Sequence, residues 1–418
     1  MTDLPVAERQ GPSVPDVARW LAADAAARPV RLARLRERLD REGVHAWFGT
    51  RREDIRYLTG FALAEGEEKV AGVSGQTLIS ADETVVLADS RYRAQAHDEA
   101  PEARIEDVYG DLAERWPELL ASLRAIGVAG GAAPGGVRRL AVDAASVSHG
   151  TWERLRLASP DIELVPAGDW VAEMRATKEP AELERVAASC LVADRALERL
   201  SSSIRPGVTE RELALELEWI IRTSGAEALA FDVACLSGPR AALPHGSPSD
   251  RTIAAGEVLL FDFGAQVAGY RSDMTRTLFV GEPIDRDERL YRLVSEAQEA
   301  AFELLSTTVG SGPEGADSLT PRMVDAAARG VIEAAGKGEL FGHGLGHGIG
   351  LATHEAPFLG RRAADVPLPF PTVFSVEPGV YLDGETGIRI EDLVVYDPGA
   401  ARCERLTGFP RGVTVVGA

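Results

Sequence analysis

The stretch that most constrains the fold runs from Leu259 to Thr277, LLFDFGAQVAGYRSDMTRT, and carries two aspartates eleven positions apart, Asp262 and Asp273. The apolar run Val258, Leu259, Leu260, Phe261 predicts a strand that takes Asp262 into the interior at its end. An ionised carboxylate buried there costs several kcal/mol unless a cationic side chain or a metal neutralises it. Gly264 and Gly269 can turn the chain back, so that Ser272, Asp273 and Met274 open a second strand, Thr275 to Val280, whose first residues face the same spot. Two carboxylates brought together repel each other unless a divalent ion lies between them. The plainer alternative pairs Asp262 with Arg271 or Arg276 and makes Asp273 a cap or turn residue. The segment by itself leaves both open.

With 418 residues, 45% of them hydrophobic and 26% charged, the chain is long enough for two domains of an ordinary soluble globular protein. Lys plus Arg number 45 against 65 Asp plus Glu, a net charge of −20 that argues against general affinity for nucleic acid or an anionic membrane. Cys190, Cys235 and Cys403 are too far apart for a disulfide framework or a thiolate zinc site, which fits a reducing cytoplasm. The first 28 residues lack an apolar signal core and no run approaches 18 apolar residues, so a cytoplasmic protein that does not span a membrane is expected.

Residues 1–28, rich in Ala, Pro and charge, read as a peripheral segment with a short helix over Pro15 to Ala27. Residues 29–170 read as an α/β domain: a helix over Arg31 to Arg41 stopped by Gly43, strands at Ala46–Thr50, Gly72–Ser80, Thr84–Asp89 and Arg139–Asp143, and a helix over Leu112–Ile126 that Pro117 would start. The tract Gly127–Gly136 is a loop without phosphate-binding spacing. From 171 to 418 a second domain is expected. Its helices run from Pro180 to about Leu200, from the capping box Thr209/Glu212 to about Ser224, over Asp287–Thr307, and over Pro321–Ala335 after a Gly-rich loop at Gly310–Gly315. Strands are expected at Phe231–Ser237, Val373–Val376, Ile388–Asp392 and Leu393–Val395.

The chemistry collects in this second domain. His343 and His347 lie in GHGLGHGIG, whose glycines would let the backbone approach a bound group. Glu377 ends the apolar run of VFSVEPG, and Glu391 sits in GIRIEDL; each alone could be paired to an arginine, Arg389 being available. Together, Asp262, Asp273, His347, Glu377 and Glu391 offer four carboxylates and one imidazole. Such donors suit Mn²⁺, Co²⁺, Zn²⁺ or Fe²⁺, and four negative charges call for two ions rather than one. Two ions about 3.5–4 Å apart can activate water and polarise a carbonyl.

The ordered motifs LPHGSPSDRTI, VLLFDFGAQVAGYRSDMTRT, GHGLGHGIGLATHEAP, VFSVEPGVY and GIRIEDL resemble those of the pita-bread metallopeptidases, the family of aminopeptidase P, prolidase, methionine aminopeptidase and creatinase. EDIRYLTGF and LADSRYRAQA are similar to the creatinase-type N-terminal domain. The resemblance runs from about Leu32 to Tyr396 and implies an α+β chain, a C-terminal pita-bread domain preceded by a smaller α/β creatinase-like domain.

Position by position, the resemblance puts the metal ligands on Asp262, Asp273, His347, Glu377 and Glu391, with Asp273 and Glu391 bridging two ions, Mn²⁺ first among the candidates. It puts substrate-facing roles on His245, His343, His354 and Arg389, with His245, His354 and Glu377 taking part in catalysis. It implies an Xaa-Pro aminopeptidase acting on proline-containing peptides, with prolidase as the close alternative and a metal-free binding module as a remote one. It also implies a homodimer. Phe231 and Tyr270 are candidates for apolar lining or for plain core. One departure is Arg240-Ala241, where the family commonly has Asn and then Ser or Thr; Arg240 could bind a substrate carboxylate or pair an acidic neighbour.

Overall fold

The structure, a computed structural model, describes residues 12–64, 66–67, 70–123 and 137–417. The expected loop at 127–136 lies outside the described residues, as does the stretch 124–126 of the helix expected there. The chain divides into two compact units, one holding residues 21–175 and the other residues 176–418 together with the N-terminal stretch that ends at Trp20.

The first helix, α1 (Val14–Glu42), is one continuous element through Pro29 rather than two short ones. Its N-terminal part is not peripheral. Trp20 is 4% exposed and packs among Val192, Leu197 and Leu213, and its indole N–H donates to Glu184 Oε2 at 2.7 Å. That burial of a large aromatic outweighs the composition that made the segment read as an appendage.

In the unit 21–175 the elements follow as β1 (Ala46–Gly49), α2 (Arg52–Thr59), β2 (Thr77–Ser80), β3 (Thr84–Ala88), α3 (Arg93–Glu99), β4 (Arg104–Asp107), α4 (Leu112–Ser122), β5 (Arg139–Asp143), α5 (His149–Ala158), β6 (Glu163–Ala167) and α6 (Trp170–Ala176). Among the described residues the strands form one sheet in the order β4-β3-β2-β1-β5-β6. Phe48 of β1 meets Trp116 of α4 edge-on at 4.9 Å in the core of that sheet face. Pro117 does not start α4. Asp111 caps it by accepting from the Ala113 N–H, and the buried stripe Leu112, Trp116, Leu119, Leu120 holds a proline inside the helix at the loss of one backbone bond.

The unit that follows is built from α7 (Pro180–Leu200), α8 (Glu210–Thr223), β7 (Ala228–Leu229), β8 (Ala234–Ser237), β9 (Val258–Phe263), β10 (Ala265–Val267), β11 (Tyr270–Arg271) and β12 (Met274–Val280), then α9 (Asp285–Gly310), α10 (Gly312–Ala316) and α11 (Pro321–Ala334). It ends in β13 (Gly346–Gly348), β14 (Glu355–Leu359), β15 (Thr372–Val376), β16 (Gly379–Leu382), β17 (Thr386–Arg389), β18 (Asp392–Asp397), β19 (Arg402–Arg405) and β20 (Val415–Val416). The main sheets run β20-β12-β9-β8 and β14-β13-β15-β18-β19. One core packs α7 and α8 against Leu259, Phe261 and Phe263 of β9; the other packs α9 and α11 against Leu260, Phe374 and Val394. Alternate β9 residues thus enter different cores, as the period of two requires.

The capping box Thr209/Glu212 forms with both of its hydrogen bonds. The expected strand Phe231–Ser237 pairs only from Ala234 onward, opposite Asp262. The expected Gly310–Gly315 loop is instead the end of α9 and the short α10, where Pro313 lies in the first turn and Ala316 is fully buried.

Candidate metal centre

The pair β9–β12 lies in register with Thr275 opposite Asp262 and Met274 opposite Phe263. Asp262 and Thr275 therefore share a face, and Asp273, two residues before Thr275, follows the same alternation. The chain makes the intervening turn through β10 and β11, paired Val267 to Tyr270 around Ala268 (φ 47°) and Gly269 (φ 85°). Two positive φ values in a two-residue loop define the tight hairpin turn that a glycine accommodates.

His347 arrives from β13, hydrogen-bonded between β14 and β15. Its neighbour Gly346 is glycine for a packing reason: a Cβ there would lie 1.9 Å from the Ser375 carbonyl oxygen. Gly348 likewise lets the chain approach the Ala356 carbonyl, 2.2 Å from where a Cβ would stand, so these two glycines serve close packing of neighbouring strands. Glu377 directly follows β15, and Glu391 sits in the break between β17 and β18, where its N–H donates to the Thr275 carbonyl at 3.1 Å.

Asp273, His347 and Glu391 each present a ligand atom, all within 4.8 Å of one another. His347 Nε2 lies 3.7 Å from Asp273 Oδ2 and 3.4 Å from Glu377 Oε1. Asp262 Oδ2 accepts from Arg389 Nη2 at 2.6 Å, so the arginine that neutralises it is neither Arg271 nor Arg276. Arg276 instead pairs Asp392 at 2.6 Å, and Arg271 donates to the Ala230 carbonyl and, at 3.1 Å, to Thr353 Oγ1.

Burial, then the charges of Glu391, Asp262 and Glu377, pushes the Asp273 carboxyl well above its usual range; burial followed by Glu377 and Asp262 does the same to Glu391. Burial pushes Glu377 up to about 7, against the pull of Arg389. Asp262 Oδ1, Asp273 Oδ1 and Glu391 Oε1 are buried without a hydrogen-bond partner. Orphaned acceptors on crowded carboxylates beside an imidazole Nε2 are what divalent cations satisfy, so the donor set fits a metal.

The histidines flank this cluster on two sides. His354 stacks near His347 with ring centroids 4.1 Å apart, and burial pulls its pKa down to about 4. His343 Nε2 lies 3.0 Å from the Tyr381 hydroxyl, and its Nδ1 lies 2.8 Å from the Gly344 carbonyl. Arg389 Nη1 donates to the same Tyr381 oxygen at 2.9 Å. An arginine can only donate, so the Tyr381 O–H points to His343 Nε2 and the His343 proton sits on Nδ1. Arg389 also donates through Nε to Thr275 Oγ1, at 2.9 Å, while that hydroxyl donates to Glu391 Oε2 at 2.7 Å. His245 is exposed on the loop after β8, one residue from Pro244, whose carbonyl accepts from Arg389 Nη1 at 3.1 Å.

Tyr270 is not pocket lining. It is 1% exposed, its hydroxyl donates to Glu182 Oε1 at 2.8 Å, and Arg185 lies over its ring. Phe231 is half-buried on the loop before β8. Tyr381, Thr275 and Ser375, whose hydroxyl donates to Glu377 Oε1 at 2.9 Å, are contacts that the residue patterns did not single out. Their signal was their place inside VEPGVY, SDMTRT and VFSVE.

Residues 184–398 match metallopeptidase family M24, and residues 31–177 match the Creatinase/Prolidase N-terminal domain. An uncharacterized peptidase of Bacillus subtilis (strain 168), YqhT, is 32% identical over 387 residues, 93% of this chain and all of its own length. Among solved structures, an Xaa-Pro dipeptidase from Bacillus anthracis superposes with a TM-score of 0.80 at 32% identity, covering 92% of this chain and 99% of that one. An X-Pro aminopeptidase from Thermotoga maritima MSB8 gives 0.78 at 34% identity with the same coverage. Fold, two matched domains and a relative shared along its full length agree: the chain belongs to metallopeptidase family M24, an α+β hydrolase whose pita-bread domain follows a creatinase-type N-terminal domain.

Proposed function

We propose that this protein is a metal-dependent Xaa-Pro aminopeptidase, cutting the bond between an N-terminal residue and a following proline. The observation that carries the reading is the buried cluster of Asp273, His347 and Glu391, with Asp262 and Glu377 beside it and Arg389 bound to Asp262. These five side chains would hold two divalent ions, Mn²⁺ before Co²⁺, Zn²⁺ or Fe²⁺. When bound, such ions polarise the scissile carbonyl and make water acidic enough to attack it at neutral pH.

The chain's own residues do the rest. Glu377 receives a proton on its carboxylate and passes it to the proline nitrogen, which leaves as an amine, while the Ser375 hydroxyl donating to Oε1 at 2.9 Å orients that carboxylate. His354, neutral in the folded chain, donates an N–H to the carbonyl oxygen as charge develops there. His245 orients the peptide, His343 faces it with its ring while Tyr381 and the Gly344 carbonyl engage both its nitrogens, and Arg389 holds Asp262, Tyr381 and the backbone beside His245 in one arrangement. An X-Pro amide lacks an N–H, so this wall must grip the ring and carbonyl instead.

The dipeptidase reading is kept as a second one because the Bacillus anthracis neighbour is an Xaa-Pro dipeptidase and fits as well as the aminopeptidase does. A homodimer acting in the cytoplasm, with residues 29–170 as the N-terminal and 171–418 as the catalytic domain, completes the proposal. Metal-stripped protein restored with Mn²⁺ should release the first residue from an Xaa-Pro-Yaa tripeptide. Cleavage of Xaa-Pro dipeptides alone would make it a prolidase, and cleavage of neither would sink both readings.

A further inference from the structure

The loop from Gly238 to Pro248, which carries His245, has little structure of its own beyond the short 3₁₀ turn Gly238–Ala242. Its two ends nonetheless meet on a single carboxylate. Glu210, fully buried at the first position of α8, accepts on Oε1 from the Ser237 N–H at 2.8 Å and the Ser237 hydroxyl at 2.9 Å. On Oε2 it accepts from the Ser249 N–H at 3.0 Å, the Ser249 hydroxyl at 2.6 Å and Arg240 Nε at 2.9 Å. Arg240 extends the clasp into the loop, because its Nη2 donates to the Ser247 carbonyl at 2.6 Å, two residues from His245. On the other side of His245, Arg389 holds the Pro244 carbonyl.

We propose that Glu210 and Arg240 are positioning residues, which set the place of the His245 imidazole by clasping the base of its loop while Arg389 fixes the tip. The proposal rests on the reading of His245 as a residue that faces substrate. It gives Arg240 a part beside the acidic neighbour: Nε binds Glu210 and Nη2 binds the Ser247 carbonyl, so the arginine braces the loop. The helix N-terminus favours an anion at Glu210. Burial would raise its pKa, but the donors from Ser249 and Ser237 hold it below the usual carboxylate range. A charged acceptor with five donors is worth far more than a surface ion pair.

The test uses the full metal-loaded chain. Hydrogen exchange of the backbone amides over residues 238–249 is compared in wild type, Arg240→Ala, Arg240→Lys and Glu210→Gln, together with kcat and KM on an Xaa-Pro peptide. Arg240→Ala should raise exchange across this segment by about tenfold, the scale of one lost charge-assisted hydrogen bond, with the rest of the chain unchanged. It should lower kcat/KM by about tenfold in the wild-type background yet hardly at all in His245→Ala, since the loss passes through that imidazole. Arg240→Lys, which keeps a donor for Glu210 but cannot also reach Ser247, should fall between. Unchanged exchange in Arg240→Ala overturns the proposal, and so does an equal loss of activity in both histidine backgrounds, which is what a general destabilisation gives. Should Glu210→Gln fail to fold, the Arg240 variants, at a side chain 32% exposed, decide the test by themselves. If wild type cuts no Xaa-Pro peptide, the functional reading fails while the exchange comparison still decides the clasp.

Discussion

Tyr381 occupies the junction between the acid cluster and the histidines, accepting from Arg389 and donating to His343. Tyr381→Phe removes one hydroxyl and keeps the ring, so stability should change by no more than about 1.5 kcal/mol, whereas kcat/KM should fall by roughly tenfold or more as Arg389 and His343 lose their common partner. Steady-state kinetics beside a denaturant midpoint separates the two effects; an unchanged kcat/KM would remove Tyr381 from the site. His343 carries a pH prediction. Burial, opposed by the Gly344 carbonyl, pulls its pKa down to about 4, while in the unfolded chain it titrates near its ordinary value of about 6.5. Below that value the unfolded state binds the extra proton first, so this group lowers stability as pH falls from about 6.5 toward 4. His343→Gln should lose less stability than wild type between pH 7 and pH 5 in paired denaturation curves. An equal loss in the two proteins would place the acid sensitivity elsewhere.

The strands that carry the acids depend on a second layer of buried charge. Arg276 on β12 meets Asp392 on β18, both essentially unexposed, and also donates to the Glu391 and Phe409 carbonyls. Burial alone would raise the Asp392 pKa, but Arg276 and the Thr407 hydroxyl together hold it below the usual range. Removing one partner of a buried pair typically costs about 3–5 kcal/mol, so Arg276→Met should be strongly destabilised at pH 7. A depressed carboxyl contributes stability above its unfolded pKa of about 3.9 and loses that contribution as pH falls through its folded value. The penalty of Arg276→Met should therefore shrink in acid, and a penalty independent of pH would contradict the pairing. At this scale the sequence was legible where a pattern is local. Asp262 ends an apolar run, Thr209 and Glu212 cap each other, and the apolar run Leu140, Ala141, Val142 marks a strand buried along its length. It was illegible where long-range packing decides. No local signal tells that Pro117 sits inside α4, that Trp20 reaches a core near Val192, or that Asp262 takes its arginine 127 positions away. The four carboxylates and the imidazole of His347 stood out as candidates because they lie beside apolar runs or among glycines, and the fold brings Asp273, His347 and Glu391 together. Thr275, which donates to Glu391, Tyr381, which joins Arg389 to His343, and Glu210, which clasps the His245 loop, were not, since a hydroxyl or a glutamate in a helix looks ordinary until the fold brings its partner to it.

Taken whole, the catalytic unit joins two apolar cores across sheets whose facing ends converge on crowded carboxylates. A fold that concentrates like charge this way is strained without counter-ions, so metal should stabilise the protein as well as activate it. At an ion concentration a hundredfold above Kd, the gain is about 2.7 kcal/mol. Thermal unfolding of chelator-treated protein should shift upward when Mn²⁺ is restored, and Asp273→Ala should abolish most of the shift. The measurement that bears most directly on the central claim is a calorimetric titration of the metal-stripped chain with Mn²⁺, run beside hydrolysis of an Xaa-Pro-Yaa peptide on the same samples. The account predicts two ions bound per chain, cleavage after the first residue returning as they bind, and both lost in Asp273→Ala. Binding of no ion, or full cleavage by the metal-stripped chain, would contradict it.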